Sequence, residues 1–262
     1  DLRYGTDSSD FVGAGVEYMQ SRPFVTGDPV RNIDWKVTAR SGRYHVKQHE
    51  SLKAIPIYFV VDTSASMAVS SQPFSKQMLA ALLAGGLAMA GVRRLSPVGL
   101  LAAGGRLLYV KPTLSRARIY PWLYELRYGD FDEPTAVGQK LDELQSMLHS
   151  RSLVIVISDL HDGNALSSIK KIVQQHECIV LQLRDPAEVH LVRSGFVRGR
   201  ESETGRNFIS PRGPWYLPQG KPMHLALQDA GVDCLALSTD QPFVEPLRRF
   251  LSARGGILRN PR

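Results

Sequence analysis

Only two cysteines occur in 262 residues, Cys178 and Cys234, and each sits inside an apolar run. That leaves no footing for a disulfide framework, a zinc cluster or a thiol nucleophile; both read as small buried hydrophobes on strands. Long apolar stretches are also missing. The longest uncharged run, 77–92, contains Gly85, Gly86 and Gly91. It is shorter than the roughly 20 residues a membrane span needs, and reads as a buried helix. No signal-peptide pattern is visible, although the chain starts at Asp1 rather than Met and so leaves a preceding segment open. There is no run of five like charges, no internal repeat and no low-complexity linker. A phosphate-binding Walker loop is absent, which argues against ATP hydrolysis by this chain. So is the Gly-x-Ser-x-Gly turn of serine hydrolases.

What is present belongs to an ordinary globular protein. Hydrophobic residues make up 43% and charged residues 22%, which excludes a disordered or collagen-like chain. The length suits one large domain, or one domain with a satellite. Lys and Arg number 32 against 25 Asp and Glu, a formal charge of +7 carried mostly by arginine. An acidic partner would answer that excess: nucleic acid, an anionic membrane or an acidic protein face. The absence of clustered charge with interleaved aromatics argues against nucleic acid.

The pattern along the chain changes once. Residues 1–53 are polar and punctuated by Gly13, Gly15, Pro23, Gly27 and Pro29. They read as turns and short strands, with a strand over 44–50. From residue 54 the pattern becomes strand–helix alternation. The run IPIYFVV over 55–61 reads as a strand buried on both faces. A helix follows over 75–94, then strands 98–103 and 106–111 around the Gly104-Gly105 turn, and helices over 115–127 and 135–149. LVIVIS over 153–158 is a second fully apolar strand. Helix 166–176 and strand 179–183 continue the rhythm. Residues 186–221, rich in glycine and proline, interrupt it as a β-rich insertion. Helix 222–230, strand 232–237 and helix 244–254 resume it. The expected fold is α/β: a doubly wound, mostly parallel sheet of Rossmann type over 54–262, preceded by the segment 1–53.

Ligands of such sheets bind beyond the carboxyl ends of the strands. Both fully apolar strands end there in an aspartate, Asp62 and Asp159. Asp62-Thr63-Ser64-Ala65-Ser66 has the form Asp-x-Ser-x-Ser, so one carboxylate and two hydroxyls can converge from a tight loop. Thr135, opening a helix, offers a third hydroxyl. Such hard oxygen donors suit Mg²⁺ best, with Mn²⁺ or Ca²⁺ as alternatives. The competing readings are plain ones: Ser64, Ser66 or Thr135 as helix caps, and Asp159 as a turn residue.

These three pieces resemble the von Willebrand factor type A domain and its metal-ion-dependent adhesion site. The resemblance implies Asp62, Ser64, Ser66, Thr135 and Asp159 as ligands. The middle motif departs from the usual Gly-Gly-x-Thr, reading Glu133-Pro134-Thr135. A second resemblance is broader. Gly13-Ala14-Gly15-Val16-Glu17-Tyr18, Ser21-Arg22-Pro23-Phe24, Gly27-Asp28, Arg31-Asn32-Ile33-Asp34-Trp35-Lys36 and Thr38-Ala39-Arg40 form a dense array. It is similar to the segment that precedes a von Willebrand A-like domain in the bacterial "domain of unknown function 58" family. Asp185-Pro186-Ala187-Glu188, Glu203-Thr204-Gly205 and Leu237-Ser238-Thr239-Asp240 resemble that family too. Within the array, Arg22, Arg31 and Arg40 alternate with Asp28 and Asp34. With Trp35 they either clamp the segment in place through Arg–carboxylate forks or form a partner-binding face.

The family resemblance implies a non-catalytic adaptor or co-chaperone for a MoxR-type AAA+ ATPase. It also implies a cytoplasmic protein, membrane-peripheral if a further segment tethers it. In that reading a bound cation with an open position accepts a carboxylate from the partner. The alternative is a metal-dependent hydrolase or phosphatase using Asp62 and Asp159, with His161 or Asp162 as base. Against it, position 64 is a serine, where a haloacid-dehalogenase-type phosphotransferase carries its second aspartate.

Overall fold

The computed structural model describes residues 12–13, 17–50, 55–106, 108–129, 132–186, 197–200, 207–210 and 223–254. The chain divides into two compact units. One comprises 1–54 with 251–262, the other 55–250.

In the first unit, β2 (Glu17–Pro23) and β3 (His45–Glu50) pair antiparallel, and β1 (Val12–Gly13) adds to the other side of β3. Between β2 and β3 lies a helix that the turn-rich sequence pattern did not announce, α1 (Trp35–Ser41). Asp34 caps it, accepting the N–H groups of Lys36 at 3.1 Å and Val37 at 3.3 Å. Gly42, with φ +68, ends it in the left-handed conformation glycine adopts without strain.

The second unit is built on a six-stranded sheet in the order β11-β8-β7-β4-β5-β6. Its strands are β4 (Ile57–Val61), β5 (Val98–Ala102), β6 (Tyr109–Thr113), β7 (Leu153–Ser158), β8 (Glu177–Arg184) and β11 (Asp233–Ser238). All neighbours are parallel except the edge hairpin β5–β6. The expected mixed α/β class with a mostly parallel sheet is what the chain adopts. β9 (Val197–Arg200) and β10 (Asn207–Ser210) form a separate antiparallel pair inside the expected insertion. The rest of that insertion, Pro186 apart, lies outside the described residues, as do Ala14–Val16, Ala187-Glu188 and Glu203–Gly205 of the family-like stretches.

Helices cover the sheet: α2 (Ala65–Ala68), α3 (Lys76–Arg93), α4 (Arg116–Tyr128), α5 (Val137–Met147), α6 (Ala165–Val173) and α7 (Met223–Asp229); α8 (Val244–Ala253) follows β11 in the chain. The central strands are apolar throughout because each face meets a helix. Tyr58 and Val60 join Val154 and Val156 under Val137, Leu141 and Leu144 of α5 and Ile169 of α6. Phe59 faces the other way, its ring 6.3 Å from that of Trp122 on α4. Gly91 lets α3 press on β4: a Cβ there would sit 2.9 Å from Ile57 Cδ1. Cys178 and Cys234 form no disulfide and are buried on strands. Among the described residues, no helix is long and apolar enough to cross a membrane.

Candidate functional site

Parallel pairing sets the site. Val61 on β4 stands opposite Ile157 on β7, so the residues following the two strands emerge at one edge of the sheet. The Asp62 amide donates to the Ile157 carbonyl at 2.9 Å. Asp62 is fully buried. Its Oδ1 accepts the Ser64 amide at 2.9 Å, and its Oδ2 accepts the Ser158 hydroxyl at 2.6 Å. The Ser66 hydroxyl donates to Asp159 Oδ2 at 2.7 Å, which leaves Ser64 Oγ to donate to Ser66 Oγ at 3.0 Å. Four of the five expected ligand residues thus form one buried hydrogen-bonded cluster. Neither serine spends its hydroxyl on capping. Ser64 holds the cap position of α2 but makes no side-chain cap bond, and Ser66 turns to Asp159 instead.

Thr135 stands differently from its expected place at the helix start. The helix begins at Val137 with Ala136 as its cap. The segment before it runs beside the Asp-x-Ser-x-Ser loop, where Ser64 bridges to Glu133 and the Ala65 amide donates to the Glu133 carbonyl at 2.9 Å. Thr135 Oγ1 is buried and has no hydrogen-bond partner among the described residues. Glu133 is held in turn by Arg106, whose amide reaches Oε2 at 2.7 Å and whose Nε lies 2.5 Å from Oε1.

Two residues of the cluster carry no signature in the motif. Ser158 is one. Lys76 is the other: it opens α3, is fully buried, and places Nζ 2.8 Å from Asp159 Oδ2. The available signal is a cation at the first turn of a helix that is uncharged from there to Arg93 at its far end, because the helix dipole disfavours a cation at the start. His161, half exposed, brings Nδ1 to 3.4 Å from the same oxygen. Leu160, between them, has φ +62, an uncommon conformation for a residue with a side chain.

The electrostatics follow from this arrangement. Burial pushes the Asp62 carboxyl up and the nearby Asp159 charge pushes it further, to about 6, against the hydrogen bonds from Ser158 and Ser64. Burial would raise Asp159 as well, but Lys76, His161 and the Ser66 hydroxyl outweigh it and hold that carboxyl below its ordinary value. Among the described residues, no three His, Cys, Asp or Glu side chains gather as a metal group. The donors here are two carboxylates with serine and threonine hydroxyls. This is the chemistry a hard cation takes, and the unpartnered Thr135 hydroxyl fits it. Asp162 is spoken for: its carboxylate accepts the Gly138 amide at 2.7 Å and the Asn164 amide at 2.8 Å.

The arginine array of the first unit divides into two sets. Arg22 grips Asp28 in a fork, with Nη1–Oδ2 at 2.7 Å and Nη2–Oδ1 at 2.6 Å. That bond holds Asp28 below the usual carboxylate range, with the Val25 amide adding to it. Asp34 is buried, accepting the Ser21 hydroxyl at 2.7 Å besides capping α1. Arg31 and Arg40 do not continue the expected alternation. Both are exposed, and neither has an ion-pair partner among the described residues. Trp35 is 63% exposed between them.

Comparison with known proteins gives relatives of the same kind. An uncharacterized protein of Mycobacterium bovis and one of Mycobacterium tuberculosis are each 28% identical over 258 residues, covering 92% of this chain and 80% of the relative. The crystal structure of the conserved hypothetical protein BatB from Bacteroides thetaiotaomicron matches with a TM-score of 0.51 at 15% identity, over 76% of this chain and 98% of that one. That likeness is one of fold. The family described as protein of unknown function DUF58 matches residues 20–212, and the chain belongs to it.

Proposed function

We propose that the second unit is a von Willebrand A-like domain of Rossmann type. In this reading the chain is a non-catalytic, metal-dependent interaction module. The observation that carries the reading is the buried cluster of Asp62, Ser64, Ser66 and Asp159 at the carboxyl edge of a parallel sheet, with an unpartnered Thr135 hydroxyl on the adjoining segment. These residues would hold Mg²⁺. The ion would supply an open coordination position for a carboxylate of a partner protein. The protein's own part is to fix the oxygens: Ser158 orients Asp62, and Arg106 secures Glu133 and with it the segment leading to Thr135.

The partner in this reading is a MoxR-type AAA+ ATPase, for which the chain acts as adaptor in the cytoplasm or at a membrane surface. The absence of any acid beyond Asp62 in the Asp-x-Ser-x-Ser loop, and the engagement of Asp162 by two helix-start amides, favour interaction over hydrolysis. Calorimetric titration of Mg²⁺ into metal-stripped wild type and Asp62→Ala, alone and with the ATPase, tests it. The expected result is saturable binding that requires Asp62 and tightens with the ATPase. Equal behaviour of the two proteins would overturn it.

A further inference from the structure

The buried cluster holds a residue that no cation-binding motif calls for. Lys76 Nζ donates to Asp159 Oδ2 at 2.8 Å, and both side chains are shut off from solvent. The same oxygen accepts Ser66 Oγ at 2.7 Å. Asp159 Oδ2 therefore accepts two close hydrogen bonds, with His161 Nδ1 3.4 Å away, while among the described residues Oδ1 receives the His161 amide at 3.4 Å. Among the described residues Asp62 has no cationic partner of this kind; its two oxygens accept the Ser64 amide and the Ser158 hydroxyl.

Charge counting gives this arrangement a consequence. The two carboxylates bring two negative charges and Lys76 returns one. An apolar side chain would fill a buried place at the start of α3 with less desolvation, and without opposing the helix dipole. The ammonium is matched to the carboxylate pair rather than to packing. We propose that Lys76 is a built-in counter-charge that holds down the affinity of the Asp62–Asp159 site for a divalent cation. A bound Mg²⁺ then leaves the site one positive charge in excess, which an acidic group from a partner neutralises. Lys76 so couples metal binding to partner binding, each strengthening the other. This inference rests on the metal-dependent reading proposed above.

The test is Mg²⁺ titration, by calorimetry, of the full chain as wild type, Lys76→Gln and Lys76→Arg. Gln keeps a hydrogen-bond donor for Asp159 and removes the charge, whereas Arg keeps the charge. The expected result is Mg²⁺ binding at least tenfold tighter in Lys76→Gln, with Lys76→Arg close to wild type. Equal affinity in wild type and Lys76→Gln overturns the counter-charge and leaves the metal site standing. No Mg²⁺ binding by any of the three overturns the metal site and the counter-charge with it. Should Lys76→Gln not fold, the wild type decides. In lysine-¹⁵N-labelled protein the buried ammonium, shielded from exchange, gives its own signal. That signal must shift as Mg²⁺ saturates the protein; saturation without a shift overturns the proposal.

Discussion

The Ser158 hydroxyl donates to Asp62 Oδ2 at 2.6 Å across two adjacent parallel strands, and this is the shortest hydrogen bond that either Asp62 oxygen accepts. It does not offset what burial and the Asp159 charge cost the Asp62 carboxylate. The group is held at about 6, against 3.8 for an ordinary aspartate. Folding therefore favours the protonated form. Between pH 4 and 6 the folded chain keeps a proton that the unfolded chain has lost, so stability falls as pH rises through that window. The difference of about two pH units corresponds to roughly 3 kcal/mol at neutral pH.

Asp62→Asn removes that burden. In chelator at pH 7.5 the variant is expected to melt above wild type, by an amount on the order of 2–3 kcal/mol. At pH 4 the two should converge, because wild type is then neutral at this position as well. Thermal melts at the two pH values check it. A variant less stable than wild type at pH 7.5 would show that the carboxylate is not held at a cost.

In the first unit the paired and exposed arginines separate by experiment. Arg22→Ala breaks the fork to Asp28 and leaves that carboxylate only the Val25 amide. A lower melting temperature is expected. Arg31→Ala and Arg40→Ala remove side chains without ion-pair partners among the described residues, and should melt with wild type. Loss of ATPase association in these two at unchanged stability would assign them, with the exposed Trp35, to a binding face. Retained association would leave them as solvated charges.

Helix α3 ends in a Schellman arrangement: the Ser96 amide bonds the Gly91 carbonyl and the Leu95 amide bonds the Val92 carbonyl, each at 3.0 Å. The residue turned to φ +60 there is Leu95, which is 69% exposed. A leucine in this conformation costs about 1 kcal/mol that glycine avoids, and its exposed side chain recovers little by burial. Leu95→Gly is expected to stabilise the protein by about 0.5–1 kcal/mol in chemical denaturation. A destabilised variant would mean that the side chain packs in a way its exposure belies.

Much of this was legible in the sequence wherever burial on both faces leaves an apolar run. IYFVV and LVIVIS mark the two central strands, and parallel register then carries Asp62 and Asp159 to one edge. The partner of Lys76 is not legible, because it lies 83 residues away; the sequence shows only a cation at an unfavourable helix start. Helix α1 was missed because it is short and mostly solvated; its signals are the cap at Asp34 and the stop at Gly42. Local spacing puts Thr135 at a helix start, two residues ahead of where the helix begins. The contact that governs its segment is Glu133 with Arg106, which no local pattern announces.

That contact also makes Gly104 a sensitive position. A Cβ on Gly104 would fall 2.3 Å from Glu133 Oε2 and 2.4 Å from Thr63 Oγ1, too close for either atom to stay. Glu133 is fixed by two contacts to Arg106, and Thr63 lies inside the Asp-x-Ser-x-Ser loop, so neither yields freely. Gly104→Ala is expected to cost about 1–3 kcal/mol, as overpacking at a buried position does. It should also displace the 133–135 segment from the Ser64 side of the site. Backbone amide shifts confined to residues near 63–66 and 133–136, together with weaker Mg²⁺ binding, would tie this glycine to the geometry of the site. A stability loss with those amides and the Mg²⁺ affinity unchanged would limit it to packing at the sheet edge.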